Sequence, residues 1–197
     1  PVSISLFLVG SIGIVTLSGW VPLTVQLKTS AWHLFSSYSF SVIPLFLLMG
    51  NFASRAGLNT SIFNLSNSFL GHFRGGLAMS TIGACAGFGA ICGSSLATVA
   101  TMSKVALPEL RKNNYADSLA TGTLAAGGTL GILIPPSIIL IIYSILTEQN
   151  ISKMFLAAFF PGILALIFYI FSIYFFTLLF PQTAPRGQYV PWKKKIK

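Results

Sequence analysis

Charge is the scarcest property of this 197-residue chain. Charged residues make up 8% of it, and three of them are acidic. The carboxylates Glu109, Asp117 and Glu148 fall at the ends of apolar segments. We therefore expect no two of them to share a pocket, as general acid–base catalysis would require. Because no His or acid lies near Ser94 in the sequence to activate its hydroxyl, the chain is predicted not to be an enzyme.

Metal, disulfide and nucleotide motifs are also scarce. The two cysteines, Cys85 and Cys92, lie in one apolar run, at a spacing too wide for a disulfide on a continuous helix. Two thiols without a nearby His or carboxylate do not form a metal site, so we interpret them as small residues filling a packed interface. The sequence has no Walker-type loop, which predicts that the chain does not hydrolyse ATP. We expect no cofactor.

Long uncharged runs are what the chain does contain. Hydrophobic residues make up 54% of it, and about 20 consecutive apolar residues are enough to cross a bilayer. The sequence therefore predicts an all-α polytopic membrane protein. The uncharged runs cover 1–27, 29–54, 56–73, 75–103, 118–147 and 154–180.

Basic residues give the chain a net charge of +9 and lie at the ends of these runs and over 193–197. Basic loops beside membrane spans usually lie on the cytoplasmic side, so the pattern favours membrane topology over nucleic-acid binding. We expect a membrane helix over 148–181. A basic cytoplasmic tail or linker over 182–197 is expected to contact the headgroups of the lipid bilayer.

The run over 58–73 is amphipathic. Ile62, Leu65, Phe69 and Phe73 recur near the helical period among Asn, Ser and Thr residues, which predicts one apolar stripe on a helix. Such a helix suits the membrane interface better than a crossing.

Small residues dominate 75–103, and two pairs of glycines there have GxxxG spacing. One interpretation is close packing between membrane helices. The other is a re-entrant helical hairpin over about 77–110, with its tip at Gly93, Ser94 and Ser95. Basic residues on both sides of the run favour the hairpin, because it leaves them on one side of the membrane. Composition alone leaves both interpretations open.

Pro135 and Pro136 stand in the middle of an apolar segment over about 115–147. A proline removes a backbone N–H, and its ring clashes with the carbonyl four residues earlier. Carbonyls freed in this way inside a membrane must face a cavity, an ion or another helix. We therefore predict a proline-broken transmembrane helix, which is typical of transporter binding sites.

Two groups of uncharged polar residues surround these interruptions. Hydroxyl and carbonyl oxygens suit a hard cation such as Na⁺, and helix N-termini suit a carboxylate. Tight packing is the alternative interpretation of both groups. The first group is Gly93, Ser94, Ser95 and Thr98, and the second is Thr121, Thr123, Gly127, Gly128, Thr129, Gly131, Pro135, Pro136 and Ser137.

Four stretches carry a family resemblance: IPLFLLMGNFASRAGL, HFRGGLAMSTIGACAGFGAICGSS, GTLGILIPPSIILIIYSIL and ISKMFLAAFFPGILAL. In their order and in their placement of Gly, Pro and Ser, they resemble the large permease subunit of tripartite ATP-independent periplasmic (TRAP) transporters, the DctM-like family. The resemblance covers about 44–166 and only the first of that family's two inverted repeats, so the chain looks like the N-terminal half. It implies scaffold-like helices and an interfacial arm over 1–73, and a transport-type part over 74–147.

The resemblance also implies a function. The family imports an organic acid, such as a dicarboxylate or sialic acid, by sodium-coupled symport through an elevator mechanism in the bacterial inner membrane. The implied partners are a periplasmic substrate-binding protein, a small four-helix membrane subunit and the second half of the permease. The alternative is a truncated membrane assembly or interaction module that does not transport on its own.

Carried over residue by residue, the resemblance implies one sodium site and half of a substrate site. The implied sodium site comprises Gly93, Ser94, Ser95, Gly128, Gly131, Ile134 and Pro136. The implied substrate contacts are Ser94, Ser95, Thr98, Pro135 and Pro136.

Overall fold

The computed structural model describes residues 2–36 and 41–185. Helices are the regular elements of these residues, which confirms the predicted all-α class. Most of the basic tail predicted over 182–197 lies outside the described residues. The chain divides into two compact units, Pro1–Val42 and Ile43–Lys197.

The first unit contains helices α1 (Val2–Ser18) and α2 (Trp20–Ser36). They meet at Gly19, whose φ of 89° is left-handed and therefore suits a residue without a Cβ. Large apolar side chains on both helices are exposed, among them Leu17 and Trp20. Surfaces of this kind fit a lipid environment or a protein partner.

The second unit is built around one central helix, α5 (Gly76–Cys92), which is rich in glycine and alanine. Small side chains allow neighbouring backbones to approach closely, and α5 packs against several other helices of the unit. Its Ile82 and Phe88 are almost completely buried. The remaining helices are α3 (Val42–Arg55), α4 (Leu58–Leu70), α6 (Ser95–Lys112), α7 (Asp117–Leu133), α8 (Ile138–Leu146) and α9 (Ile151–Leu179).

Helix α9 is the longest helix of the described residues. It has 29 residues and is apolar and long enough to cross a membrane. The α7–α8 pair meets the same criterion only when taken as one span, and it is bent by 42°. Three shorter apolar helices are Ser3–Ser18, Val42–Arg55 and Gly76–Cys92.

Helix α4 differs in detail from the predicted amphipathic helix. It ends at Leu70, where the N–H of Gly71 donates to the carbonyl of Asn67, so Phe73 lies beyond it. Phe63 packs into the core and is 3% exposed, whereas Leu65 is 58% exposed. The side of α4 that packs into the core therefore includes Phe63, and Leu65 of the predicted stripe lies on the exposed side.

Four chain segments converge at the end of the unit that carries Arg74, Arg111 and Lys112, which we call the basic end. The carbonyl of Arg74 accepts a hydrogen bond from the Thr177 hydroxyl at 3.4 Å, which joins the start of α5 to the end of α9. The N–H of Leu77 donates to the Tyr115 oxygen at 3.2 Å. Helices α5 and α6 therefore run antiparallel, with their connection at the opposite end.

Candidate functional site

The connection between α5 and α6 is a tight turn at Gly93 and Ser94, which we call the tip. Gly93 has φ 60° and ψ 18°, and its N–H donates to the carbonyl of Gly89. Ser94 is extended, and its hydroxyl accepts a hydrogen bond from the N–H of Ala97. A left-handed glycine after one helix and a serine N-cap before the next end and restart the helix within two residues.

Thr98 supports the tip from behind. It is fully buried, and its hydroxyl donates to the Ser94 carbonyl at 2.8 Å. The Cys92 sulfur lies 3.1 Å from the same hydroxyl. The only hydroxyl proton of Thr98 is thus used inside the fold, and Cys92 is part of the support of the tip.

The chain leaves helical geometry a second time between α7 and α8, at residues 134–137, which we call the break. In a continuous helix the carbonyls of Gly131 and Ile132 would accept N–H groups from residues 135 and 136. Both of those residues are prolines, which have no N–H. The break therefore presents backbone carbonyls that have no helical donor.

The tip and the break are in direct contact. The N–H of Ile138, the first residue of α8, donates to the Gly93 carbonyl at 3.2 Å. A Cβ on Gly93 would lie 2.8 Å from the Pro136 carbonyl oxygen, so the contact depends on glycine at this position. The two interruptions form one site.

Glycines also bring the helices together beside this site. A Cβ on Gly131 would lie 2.7 Å from the Thr98 hydroxyl oxygen and 3.0 Å from the Ser94 carbonyl oxygen. A Cβ on Gly89 would lie 2.6 Å from the Cα of Gly131. Close packing and an irregular backbone therefore occur together here. Helix packing and a hairpin turn, the two interpretations of the small-residue run over 75–103, are thus compatible.

The other predicted site residues take different positions. Ser95 is half-buried in the first turn of α6. A Cβ on Gly128 would lie 3.5 Å from the Ser95 carbonyl oxygen, which places Gly128 against α6. The side chain of Ile134 packs toward Gly162 of α9, so only its backbone lies at the break. Pro135 and Pro136 are half-buried within the break.

Ser137 belongs to the second group of polar residues in the sequence but is not among the predicted sodium or substrate contacts. It is fully buried, and its hydroxyl oxygen has no hydrogen-bond partner among the described residues. It precedes α8 at the N-cap position, where a serine hydroxyl commonly bonds to the first turn, yet it makes no such bond. Its position directly after two prolines is the sequence feature that could have pointed to Ser137 as a site residue.

The residues that form the tip and the break carry no charge. The local field comes instead from helix ends, because α6 and α8 begin here and α5 and α7 end here. Helix N-termini present N–H groups and a partial positive charge, and helix C-termini present carbonyls and a partial negative charge. The arrangement brings carbonyl oxygens and backbone N–H groups together at one place.

Comparison with known proteins identifies the family. The family model described as "Tripartite ATP-independent periplasmic transporter, DctM component" matches residues 1–183. The C4-dicarboxylate TRAP transporter large permease protein DctM of Vibrio cholerae is 38% identical over 160 residues, covering 81% of this chain and 35% of the relative. Its namesake in Pseudomonas aeruginosa is 38% identical over 142 residues, covering 72% of this chain and 32% of the relative.

A relative named for another substrate matches as well. The sialic acid TRAP transporter permease protein SiaT of Haemophilus influenzae is 32% identical over 164 residues, covering 83% of this chain and 26% of the relative. The chain thus spans about a third of the length of the curated relatives it matches, which fits the prediction of an N-terminal half. These are integral permeases of the bacterial inner membrane and not enzymes, as the sequence predicted. The chain belongs to the DctM family of TRAP transporter large permeases.

Proposed function

We propose that this chain is part of a sodium-coupled secondary transporter that imports an organic acid. The observation that carries the proposal is the hydrogen bond from the Ile138 N–H to the Gly93 carbonyl, which joins two helix interruptions into one uncharged site. Broken helices that meet in this way supply both cation ligands and anion donors in membrane transporters.

The sodium ion would be held by oxygens of the predicted set at the tip and the break. Na⁺ is a hard cation and is expected to follow the oxygen preference of other hard cations. The Ser94 carbonyl already accepts the N–H of Thr98 at 3.0 Å and its hydroxyl at 2.8 Å. We therefore assign most of the sodium ligands to the hydroxyls of Ser94 and Ser95 and to the carbonyls of Gly131, Ile134 and Pro136.

The acid would be bound by N–H groups and hydroxyls. The first turns of α6 and α8 lie at the positive ends of two helices, where N–H groups have no helical acceptor. The N–H of Ile138 already donates to the Gly93 carbonyl, so other N–H groups of these two turns would bind the acid. Ser94 and Ser95 stand at the start of α6, and Ser137 stands at the start of α8. A carboxylate between the tip and Pro135–Pro136 would meet both helix ends.

The organic acid is a dicarboxylate, sialic acid or a similar compound, in keeping with relatives named for C4-dicarboxylate and sialic acid. A periplasmic binding protein would deliver it, and a small four-helix membrane subunit would brace the scaffold. The re-entrant hairpin α5–α6 and the broken helix α7–α8 would move together as the elevator part, with α4 as the linking arm. The second half of the permease would complete the site.

Uptake into proteoliposomes tests this function. The complete system would be reconstituted with this chain, and uptake of a radiolabelled dicarboxylate and of sialic acid would be measured with and without an inward sodium gradient. The variant Ser94→Ala with Ser95→Ala should lose sodium-driven uptake by at least about tenfold, equivalent to one lost charge-assisted hydrogen bond. Thr101→Ala with Ser103→Ala, further along α6, is the control. Uptake that does not depend on the sodium gradient, or that is unchanged in the double serine variant, would refute the proposal.

A membrane assembly or interaction module is the second candidate. It is motivated by the exposed apolar surface of α9, where Phe160 is 74% exposed. Expressing the chain alone and together with the remaining part of a related permease separates the two candidates. Transport by the pair alone identifies a permease part, whereas transport by neither favours the module.

A further inference from the structure

A groove runs between α7 and α9, at the basic end of the second unit. It encloses about 330 Å³, and Ile82 of α5 is among the residues that line it. On α7 it extends from Ser118 to Ala126, a distance of about 12 Å at 1.5 Å per residue. The tip lies at the other end of α5, so the groove is separate from the site proposed above.

The inner wall of the groove contains an unpaired hydroxyl. Thr123 lines the groove and is 4% exposed, and its hydroxyl has no partner among the described residues. A threonine inside a helix usually bonds to a carbonyl three or four residues earlier. An unpaired buried hydroxyl costs free energy, which a bound acceptor would recover.

The outer end of the groove lies near Arg74. Phe176 lines the groove there, and the hydroxyl of the next residue, Thr177, bonds to the Arg74 carbonyl. The guanidinium of Arg74 reaches the Pro181 carbonyl at 3.5 Å, while its Nε is buried without a partner. Within the described residues Arg74 forms no ion pair. The carboxylate of Asp117 pairs with Arg111 instead.

The inner end of the groove is closed. The hydroxyl oxygens of Tyr169 and Thr129 lie 3.1 Å apart and link α9 to α7. An occupant must therefore enter from the basic end or sideways from the surface of the unit. Its buried part must be mainly apolar, since Leu119, Ala126 and Ile173 supply much of the lining.

We propose that this groove binds one acyl chain of an anionic phospholipid, with the phosphate beside Arg74. The charge of Arg74 selects an anionic headgroup, and the apolar walls take the upper part of the chain. Thr123 lies about 7.5 Å further along α7 than Ser118, at a depth where its hydroxyl can donate to an ester carbonyl of the lipid. The lipid would thereby link the ends of α5, α7 and α9.

Gly122 provides a selective test. It lines the groove, and a Cβ there would meet nothing within 4 Å. Gly122→Leu would therefore project into the groove from a Cβ that contacts no protein atom, and a Gly inside a helix is readily replaced by a better helix former. Gly10→Leu is the matched control, because a Cβ on that α1 glycine also meets nothing within 4 Å.

Native mass spectrometry can follow a titration of the purified full chain with phosphatidylglycerol or phosphatidylcholine. The masses give both the number of bound lipids and the number of protein copies in each complex. We expect one tightly bound phosphatidylglycerol on the wild type and on Gly10→Leu. We expect it to bind about tenfold more weakly to Gly122→Leu, as the exclusion of about two methylenes would produce. Arg74→Gln should remove the preference for phosphatidylglycerol over phosphatidylcholine.

Three results would overturn the inference. The wild type could bind phosphatidylglycerol and phosphatidylcholine equally, an outcome that can be measured without any variant. Gly122→Leu could retain the lipid with wild-type affinity, which would exclude the groove. A dimer that carries no lipid and is lost in Gly122→Leu would assign the groove to a second copy of the chain.

Discussion

The N–H of Ile138 donates a 3.2 Å hydrogen bond to the carbonyl of Gly93, across 45 residues of sequence. Gly93 ends α5 in a left-handed conformation, and Ile138 begins α8 after two prolines. In a continuous helix that N–H would bond to the carbonyl of Ile134. The bond therefore exists because both helices are interrupted, and it fixes the relative position of the two interruptions.

Gly93→Ala tests the need for glycine at the tip. Its φ of 60° costs an L-residue about 1–2 kcal/mol, and the added Cβ would lie 2.8 Å from the Pro136 carbonyl oxygen. We expect thermal unfolding in detergent at a lower Tm and a loss of uptake by the complete transporter. Gly10→Ala, where a Cβ meets nothing within 4 Å, should leave both unchanged. The same Tm and the same uptake for the two variants would contradict a role for the tip–break contact.

Thr98→Val tests the support behind the tip. The change keeps the side-chain shape but removes the hydroxyl that donates to the Ser94 carbonyl, which should cost about 1–3 kcal/mol of stability. In a Cys85→Ala background, we expect Cys92 to react faster with a thiol reagent, because its neighbour at 3.1 Å is lost. Thr98→Ser keeps the hydroxyl and should keep the slow rate. A slow rate in all three proteins would show that the bond does not hold the tip.

Ser137→Ala separates a structural role from a binding role. The Ser137 hydroxyl is buried and has no partner among the described residues, so its removal should change the free energy of unfolding by no more than about 0.5 kcal/mol. If it contacts the transported acid, KM for uptake should rise about fivefold or more. A drop in stability with unchanged KM would identify it as a structural residue. Ser144→Ala, a buried serine whose hydroxyl bonds to Leu140, is the control.

Tyr115→Phe tests the basic end. The Tyr115 oxygen accepts the N–H of Leu77 in the first turn of α5 at 3.2 Å, and the side chain is 6% exposed. Its loss leaves that N–H without its acceptor, which should lower the stability by about 1–3 kcal/mol. Tyr143→Phe, on a residue that is 53% exposed, should have little effect on a denaturation curve. Matching curves for both variants would argue against the contact.

The two interruptions were predictable from sequence because their causes are local. A glycine followed by a serine N-cap ends and restarts a helix, and adjacent prolines remove two N–H donors. Helix α5 ends at Cys92, directly before the predicted tip, and α6 begins at Ser95, which was predicted to lie within the tip.

Other features depend on tertiary packing and could not be predicted from spacing. The partner of the Ile138 N–H is 45 positions away in the sequence, and the unpaired hydroxyls of Thr123 and Ser137 follow from which helices lie beside them. The burial of Phe63 and the exposure of Leu65 likewise follow from which side of α4 packs against its neighbours, and the amphipathic pattern alone does not specify that side.

The most direct test of the central claim restores the missing N–H groups. Pro135→Ala with Pro136→Ala allows the carbonyls of Gly131 and Ile132 to regain helical donors, so the protein should stay folded while the break becomes helical. The complete transporter carrying this change should lose sodium-driven uptake by at least about tenfold, with an unchanged elution profile on size exclusion. Sodium-driven uptake at the wild-type rate in the same variant would contradict the claim that unwound backbone at the tip and break binds the ion and the acid.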